Sequence, residues 1–163
     1  MMNTVFRRSL FLALALVLLT GFGCSKKQVT DSLDSDELAM TEAERLVAQR
    51  ISDGIIYFEF DRYDLTAQSK STLTQKAPLI REMPQLRVTI EGHCDERGTE
   101  EYNLALGERR ARAAYEFLVN LGVNPSQLEM VSFGKLHPAV LGSNEAAWAK
   151  NRRGEFKPYK PRF

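Results

Sequence analysis

Apolar residues follow two different spacings along the chain, which predicts strands alternating with helices. Residues 55–60 are β-branched and aromatic and predict a strand. Leu86, Val88 and Ile90 alternate with polar residues, the pattern of a strand that is buried on one face. A third strand is expected at residues 128–132, and a final extended segment ends the chain.

Between these segments the apolar positions recur every three or four residues, the spacing of a helix. Thr66 is expected to cap a helix that runs to about residue 83, where a proline ends it. A long helix is predicted from about 101 to 121, ended by Gly122, and a short one at 144–150. This order predicts an α/β fold, an α+β sandwich. Its β-α-β-α-β core packs helices on one mixed sheet, and a short C-terminal helix and strand follow.

The first 23 residues have the features of an export signal. Arg7 and Arg8 precede the apolar run 9–19, which is too short to span a bilayer comfortably. Small residues and Cys24 follow, and this ending resembles the bacterial lipoprotein signal. The resemblance implies that residues 1–23 are removed and that Cys24 carries the lipid. It also implies, through Ser25, an outer-membrane address. The alternative is an ordinary secretory signal that leaves a free thiol.

A tether is predicted between the anchor and the domain. Residues 25–35 are polar and show no periodicity. Residues 36–51 carry Leu38, Leu46 and other apolar residues at helical spacing, which predicts a short helix capped by Ser35. This helix could pack on the domain or on a partner. The predicted organisation is therefore signal 1–23, lipidated tether 24–53, and a domain at 54–163 with a basic C-terminal tail.

Charge and cysteine content exclude some classes of protein. The formal net charge of the 163 residues is +1. Arg7 and Arg8 are the only charged residues of the first 23, so 20 basic and 21 acidic residues remain after their removal. A nearly neutral chain gives no reason to expect nucleic-acid binding. Its two cysteines are fewer than a disulfide-held secreted fold usually has.

The segment 91–114 carries the candidate chemistry. Arg110 lies four residues after Leu106 and four before Ala114, on the apolar stripe of the long helix. A guanidinium buried there must be paired. The expected partner is Asp95, which follows the second strand and can approach the helix.

An acid and a guanidinium in one cleft suit a ligand with both an ammonium and a carboxylate. Gly98 allows the loop to turn tightly, and Asn103 is placed to tie the loop to the helix. The alternative is a structural pair of Asp95 and Arg110 that binds nothing.

Metal binding and catalysis have weaker support. Residues 93–96 hold His, Cys and two acids, but four consecutive ligands rarely converge on one ion. No base or orienting group is identifiable for Cys94 as a nucleophile. Hydrolysis by a pair of carboxylates among Glu91, Asp95 and Glu96 would need one protonated acid, but the neighbouring arginines keep these acids ionised. No cofactor and no catalytic residue are expected.

The motif EGHCDERGTEEYNLALGERRA resembles the core of the outer-membrane protein A-like (OmpA-like) domain family, in its peptidoglycan-associated lipoprotein (Pal) branch. The similarity extends over about residues 55–153, from IYFEFDRYDL to VSFGKLHPAVLGSNEAAWAKNRR. It implies non-covalent binding of peptidoglycan through diaminopimelate of the stem peptide. The binding residues that it implies are Asp95, Arg110, Asn103, Asp61, Tyr63, Arg97, Thr99 and Leu106.

The same resemblance implies an outer-membrane lipoprotein that faces the periplasm and tethers this membrane to the wall. It also implies a partner of the Tol system, similar to TolB, with roles in envelope integrity and in constriction at division. One alternative is another wall-anchoring protein with the same domain. A less favoured alternative is a cell-wall hydrolase.

Overall fold

The computed structural model describes residues 40–161, which form four α-helices and a four-stranded sheet. The predictions for the signal 1–23, the lipidated Cys24, the tether and its Ser35 cap fall outside the described residues. The elements in chain order are α1 (Glu42–Asp53), β1 (Ile56–Tyr57), α2 (Ala67–Arg81), β2 (Arg87–His93), α3 (Glu100–Asn120), β3 (Leu128–Gly134), α4 (Glu145–Asn151) and β4 (Arg153–Tyr159).

The sheet has the strand order β1-β4-β2-β3. β2 and β3 are parallel and are joined through α3, whereas β4 runs antiparallel to both β1 and β2. The last strand of the chain thus lies between the first two, which makes the sheet mixed. This confirms the predicted fold, a β-α-β-α-β core followed by a C-terminal helix and strand.

The main core lies between the helices and one face of the sheet. Val88 and Ile90 of β2 are fully buried there, as their alternation predicted. Gly92 lets α3 approach β2 closely, because a Cβ at this position would lie 1.9 Å from the carbonyl oxygen of Gly107. The outer face of the sheet, on the opposite side, carries Thr89, Glu91 and the other alternate residues of β2.

The boundaries of α3 agree closely with those predicted from the sequence. Thr99 caps its start and accepts a hydrogen bond from the backbone N–H of Tyr102 at 3.2 Å. The chain leaves the helix through Gly122, which has a φ of 85°. Such a conformation favours glycine, as the prediction assumed. No helix within the described range 40–161 is both long and apolar enough to cross a membrane.

The predicted start of the first helix is wrong. Met40 and Thr41 are not helical, and the helix begins at Glu42. The reason is a capping box, in which Thr41 accepts from the N–H of Glu44 at 3.3 Å and the Glu44 carboxylate accepts from the N–H of Thr41 at 2.8 Å. The helix packs on the domain, since Ile51 is fully buried in the main core, while Leu46 is exposed.

The first strand is shorter than predicted. Only Ile56 and Tyr57 pair as a strand, with Gly154 and Arg153 of β4. Beyond them the chain turns at Asp61, whose φ of 56° is outside the extended region. The residues after β1 therefore form a loop that reaches the end of β2.

Candidate functional site

A cavity of about 180 Å³ lies at the carboxyl end of β2, between the loop after β1, the loop 94–99 and the start of α3. Six of the eight predicted binding residues line it, and Tyr63 and Thr99 do not. The six are Asp61, Asp95, Arg97, Asn103, Leu106 and Arg110. A larger cavity, of about 420 Å³, lies between α1 and the outer face of the sheet and contains none of the eight.

Arg110 is buried, as its place on the apolar stripe predicted, with 1% of its surface exposed. Its guanidinium donates to three backbone carbonyls, those of Arg62 at 2.9 Å, His93 at 2.8 Å and Glu59 at 3.1 Å. It also donates to the sulfur of Cys94 at 3.3 Å. Burial lowers the pKa of Arg110 from its ordinary value, but a guanidinium stays protonated at neutral pH.

The predicted pairing of Arg110 with Asp95 is therefore corrected. Asp95 forms its ion pairs with Arg97 at 2.6 Å and with Arg152 at 3.3 Å. Neutral carbonyls satisfy Arg110 instead, because the loop after β1 brings two of them to its fork. Asp95 and Arg110 still line the same cavity, so one ligand can reach both.

Asp95 carries a full negative charge. Burial by itself raises the pKa of Asp95, but hydrogen bonds and charge from Arg97, with help from Arg152, outweigh it and hold the pKa below its usual value. Its Oδ1 accepts from the backbone N–H and the Nε of Arg97, both at 3.1 Å. Its Oδ2 accepts from Nη2 of Arg97 and Nη1 of Arg152.

Two aromatic rings hold Arg97 in place. Its guanidinium lies 3.9 Å from the centroid of the Phe60 ring and 4.1 Å from that of Trp148. Such stacking favours arginine over lysine. Trp148 thus packs at the site, and its indole N–H donates to Glu96 at 3.0 Å.

Arg152 is a site residue that the sequence analysis missed. It is buried and donates to the carbonyl of Phe58 at 3.1 Å, to Asp95 and to Glu145 at 2.6 Å. A charge at the start of a predicted strand was the available signal, because a guanidinium that the fold buries there needs hydrogen-bond partners.

Asn103 ties the loop to the helix, as predicted. Its side-chain amide donates to the carbonyls of Arg97 at 2.7 Å and Thr99 at 2.9 Å. The loop makes its tight turn at Gly98, which has the expected positive φ of 87°. These contacts fix the position of Asp95 relative to α3.

The loop after β1 places its two predicted residues differently. Asp61 lines the cavity and accepts a hydrogen bond from the hydroxyl of Tyr102. Tyr63 is 44% exposed and lies away from the cavity, where Arg109 approaches its ring to 5.7 Å. Thr99 acts locally as the cap of α3.

The consecutive residues His93 to Glu96 do not converge on one point. Cys94 and Asp95 line the cavity, whereas His93 approaches Glu91 on the outer face of the sheet. Burial, the largest effect, raises the pKa of Cys94 to about 11, so its thiol is protonated at neutral pH. What the cavity offers is a guanidinium and a carboxylate, the groups that recognise a ligand of mixed charge.

Comparison with known proteins identifies the family. The model of the OmpA family matches residues 57–152. A peptidoglycan-associated lipoprotein of Pseudomonas aeruginosa is 45% identical over 137 residues, which cover 84% of this chain and 74% of that protein. The chain belongs to the OmpA family, in its peptidoglycan-associated lipoprotein (Pal) branch.

Other relatives support membership of the Pal branch. A peptidoglycan-associated lipoprotein of Haemophilus influenzae is 48% identical over 98 residues, 60% of this chain and 64% of its own length. The match thus spans less than two thirds of that relative. Membership confirms the predicted family and the prediction that the chain is not an enzyme.

Solved structures give the same fold. The crystal structure of the peptidoglycan-associated lipoprotein from Burkholderia pseudomallei has a TM-score of 0.65 and 44% identity, and the match covers 67% of this chain and 92% of that one. The C-terminal domain of Helicobacter pylori MotB has a TM-score of 0.61, with coverage of 66% and 84%. Its identity is 22%, so this second likeness concerns the fold alone.

Proposed function

We propose that this Pal-branch chain binds peptidoglycan non-covalently, by taking the diaminopimelate of the stem peptide into the cavity at the end of β2. The observation that carries the proposal is the buried guanidinium of Arg110, which lines the same 180 Å³ cavity as Asp95. The names of the relatives support peptidoglycan as the ligand.

The chemistry of diaminopimelate fits these two groups. Its distal end carries an ammonium and a carboxylate, where lysine has the ammonium alone. The carboxylate pairs with Arg110 and the ammonium with Asp95. Both oxygens of Asp95 are already engaged, so the ammonium replaces one arginine there. Arg97 has 30% of its side chain exposed, against 6% for Arg152, so the ammonium displaces the Arg97 guanidinium from Asp95 while the rings of Phe60 and Trp148 keep that guanidinium beside the cavity.

The remaining predicted residues have supporting roles in the proposal. Asn103 holds the loop, Leu106 supplies an apolar wall, and Asp61 closes the side next to Tyr102. Thr99 contributes through the cap of α3. A binding role for Tyr63 stays a prediction from the family resemblance.

Sedimentation with purified sacculi tests the site. Asp95→Ala and Arg110→Ala should lose binding, because each removes one charge that the ligand pairs with. Asp64→Ala and Arg112→Ala are matched controls, since both residues are exposed and neither lines the cavity. Circular dichroism establishes that each variant is folded. Normal sedimentation of folded Asp95→Ala and Arg110→Ala would remove the site assignment.

The choice of ligand is tested with two stem peptides, one with diaminopimelate and one with lysine. The diaminopimelate peptide should bind at least tenfold more tightly, because the lysine peptide lacks the carboxylate that pairs with Arg110, and a hydrogen bond to a charged group contributes about 1.5–3 kcal/mol. Equal affinities would show that the distal carboxylate is not recognised.

The anchor and the partner complete the proposal. We propose that lipidated Cys24 holds the chain in the outer membrane facing the periplasm, so that wall binding tethers the membrane and supports its constriction at division. Cys24→Ala should move the protein from the detergent-extracted membrane to the soluble periplasm.

A TolB-like protein is the proposed partner, and its co-purification with the wild-type chain is the corresponding test.

A further inference from the structure

We infer that Glu91, His93 and Glu155 form a binding site for a divalent transition-metal ion, with Zn²⁺ as the best match. The site lies on the outer face of the sheet and uses side chains that the peptidoglycan cavity does not. It differs from the set of consecutive residues 93–96, which does not converge on one point.

The register of the strands brings the three side chains together. Glu91 and His93 are two residues apart on β2 and therefore project from the same face. Glu155 lies directly opposite Glu91 on the neighbouring strand β4. One ligand atom of each residue lies within 4.8 Å of the others, and Nε2 of His93 is 3.6 Å from Oε2 of Glu91.

His93 supplies an independent indication of a ligand. Only 2% of its surface is exposed, and neither ring nitrogen has a hydrogen-bond partner among residues 40–161. Its ring stacks on Phe133 with centroids 5.4 Å apart. Buried polar nitrogens are normally satisfied. A metal ion bound between His93 and the two carboxylates would satisfy one of them.

The donor set indicates which ions fit. An imidazole nitrogen and carboxylate oxygens are ligand types that zinc accepts, and three protein ligands leave a fourth position for water. Ligand atoms about 2.0–2.2 Å from a tetrahedral ion lie roughly 3.3–3.6 Å from one another. Small side-chain rotations would bring the ligand atoms of the three residues to these distances. Mg²⁺ and Ca²⁺ prefer an all-oxygen shell, which the imidazole does not provide.

Two cations compete for Glu155. Its carboxylate accepts from Nε of Arg153 and Nζ of Lys157, each at 2.5 Å. The side chain of Lys157 is 53% exposed and can turn into solvent when a metal ion arrives. Replacing this lysine should therefore strengthen metal binding, the opposite of what the loss of a ligand does.

Calorimetric titration of the full chain in detergent with ZnCl₂ tests the site. The wild type should bind one Zn²⁺, and Glu91→Gln and His93→Gln should each weaken binding at least tenfold. Glu91→Gln is the gentler variant, because the amide keeps the size and shape of a side chain whose Oε2 lies 3.6 Å from Nε2 of His93. Lys157→Gln should bind several-fold more tightly than the wild type.

His137→Gln is the matched control, because His137 is the other histidine of the chain and is exposed. It should bind Zn²⁺ like the wild type, and so should Cys24→Ser. The inference is overturned if folded Glu91→Gln and His93→Gln bind as tightly as the wild type. It is equally overturned if the control variants lose the binding.

Discussion

Arg110 and Lys76 are both buried cations, yet they lie in different surroundings. Arg110 lines the cavity at the end of β2, and Lys76 lies beneath α1, with 2% of its surface exposed. Neither forms an ion pair with a described carboxylate within 4 Å. Both donate to backbone carbonyls instead, Lys76 to that of Ile51, with its Nζ 4.5 Å from the centroid of the Phe156 ring.

The two cations differ in how readily they lose a proton. Burial lowers the pKa of Lys76 to about 8, so this amine can become neutral with little difficulty. The guanidinium of Arg110 keeps its charge at any physiological pH. A permanent positive charge can pair with an anionic ligand. A cation that can lose its proton instead serves as a packing residue in the core.

The largest effect that this comparison predicts comes from replacing each cation with methionine. Arg110→Met should lower the free energy of unfolding by about 3 kcal/mol or more, because the buried carbonyl of His93 and the two partly buried carbonyls of Glu59 and Arg62 lose their donor. Lys76→Met should change it by about 1 kcal/mol or less, because removing a desolvated charge offsets the loss of one hydrogen bond. Urea unfolding measures both values.

Binding separates the two variants further. Lys76→Met should sediment with sacculi like the wild type, and folded Arg110→Met should not. A similar loss of stability in both variants would contradict the view that only Arg110 is held by a network. Loss of sacculus binding in Lys76→Met would contradict the assignment of function to the cavity alone.

The burial of Arg110 was predictable, but its partners were not. The apolar stripe of α3 is a local pattern, so it places Arg110 against the core whatever the rest of the chain does. Its acceptors at Glu59 and Arg62 are backbone carbonyls, which carry no signal in the sequence. Their position depends on how the loop after β1 crosses the end of β2, a tertiary feature.

A smaller effect is expected from pH. The pKa of Lys76 is lowered to about 8 from an ordinary 10.5, so between these values the unfolded chain binds a proton that the folded chain does not. Stability should therefore rise as pH increases from 8 to 10.5, by on the order of 3 kcal/mol at most. Lys76→Met should lack this rise. If the free energy of unfolding changed with pH in the same way in the wild type and in Lys76→Met, Lys76 would not be desolvated in the folded state.

The smallest predicted effect concerns the cap of α1, the helix that covers Lys76. The Thr-x-x-Glu signal at residues 41–44 was present in the sequence, but the apolar spacing upstream favoured an earlier start. Thr41→Ala should lower the free energy of unfolding by about 1 kcal/mol, because the helix loses its cap. Sacculus binding should not change, since α1 contributes no residue to the cavity.

Thr74→Ala is the matched control for Thr41→Ala, because Thr74 is exposed within α2 and caps nothing. Alanine is the better helix former there, so this variant should be as stable as the wild type or slightly more so. If Thr41→Ala lowers the free energy of unfolding and Thr74→Ala raises it, the loss at residue 41 is due to capping. Equal losses would mean that the capping box does not stabilise α1, and weakened sacculus binding by Thr41→Ala would mean that α1 and the cavity are coupled.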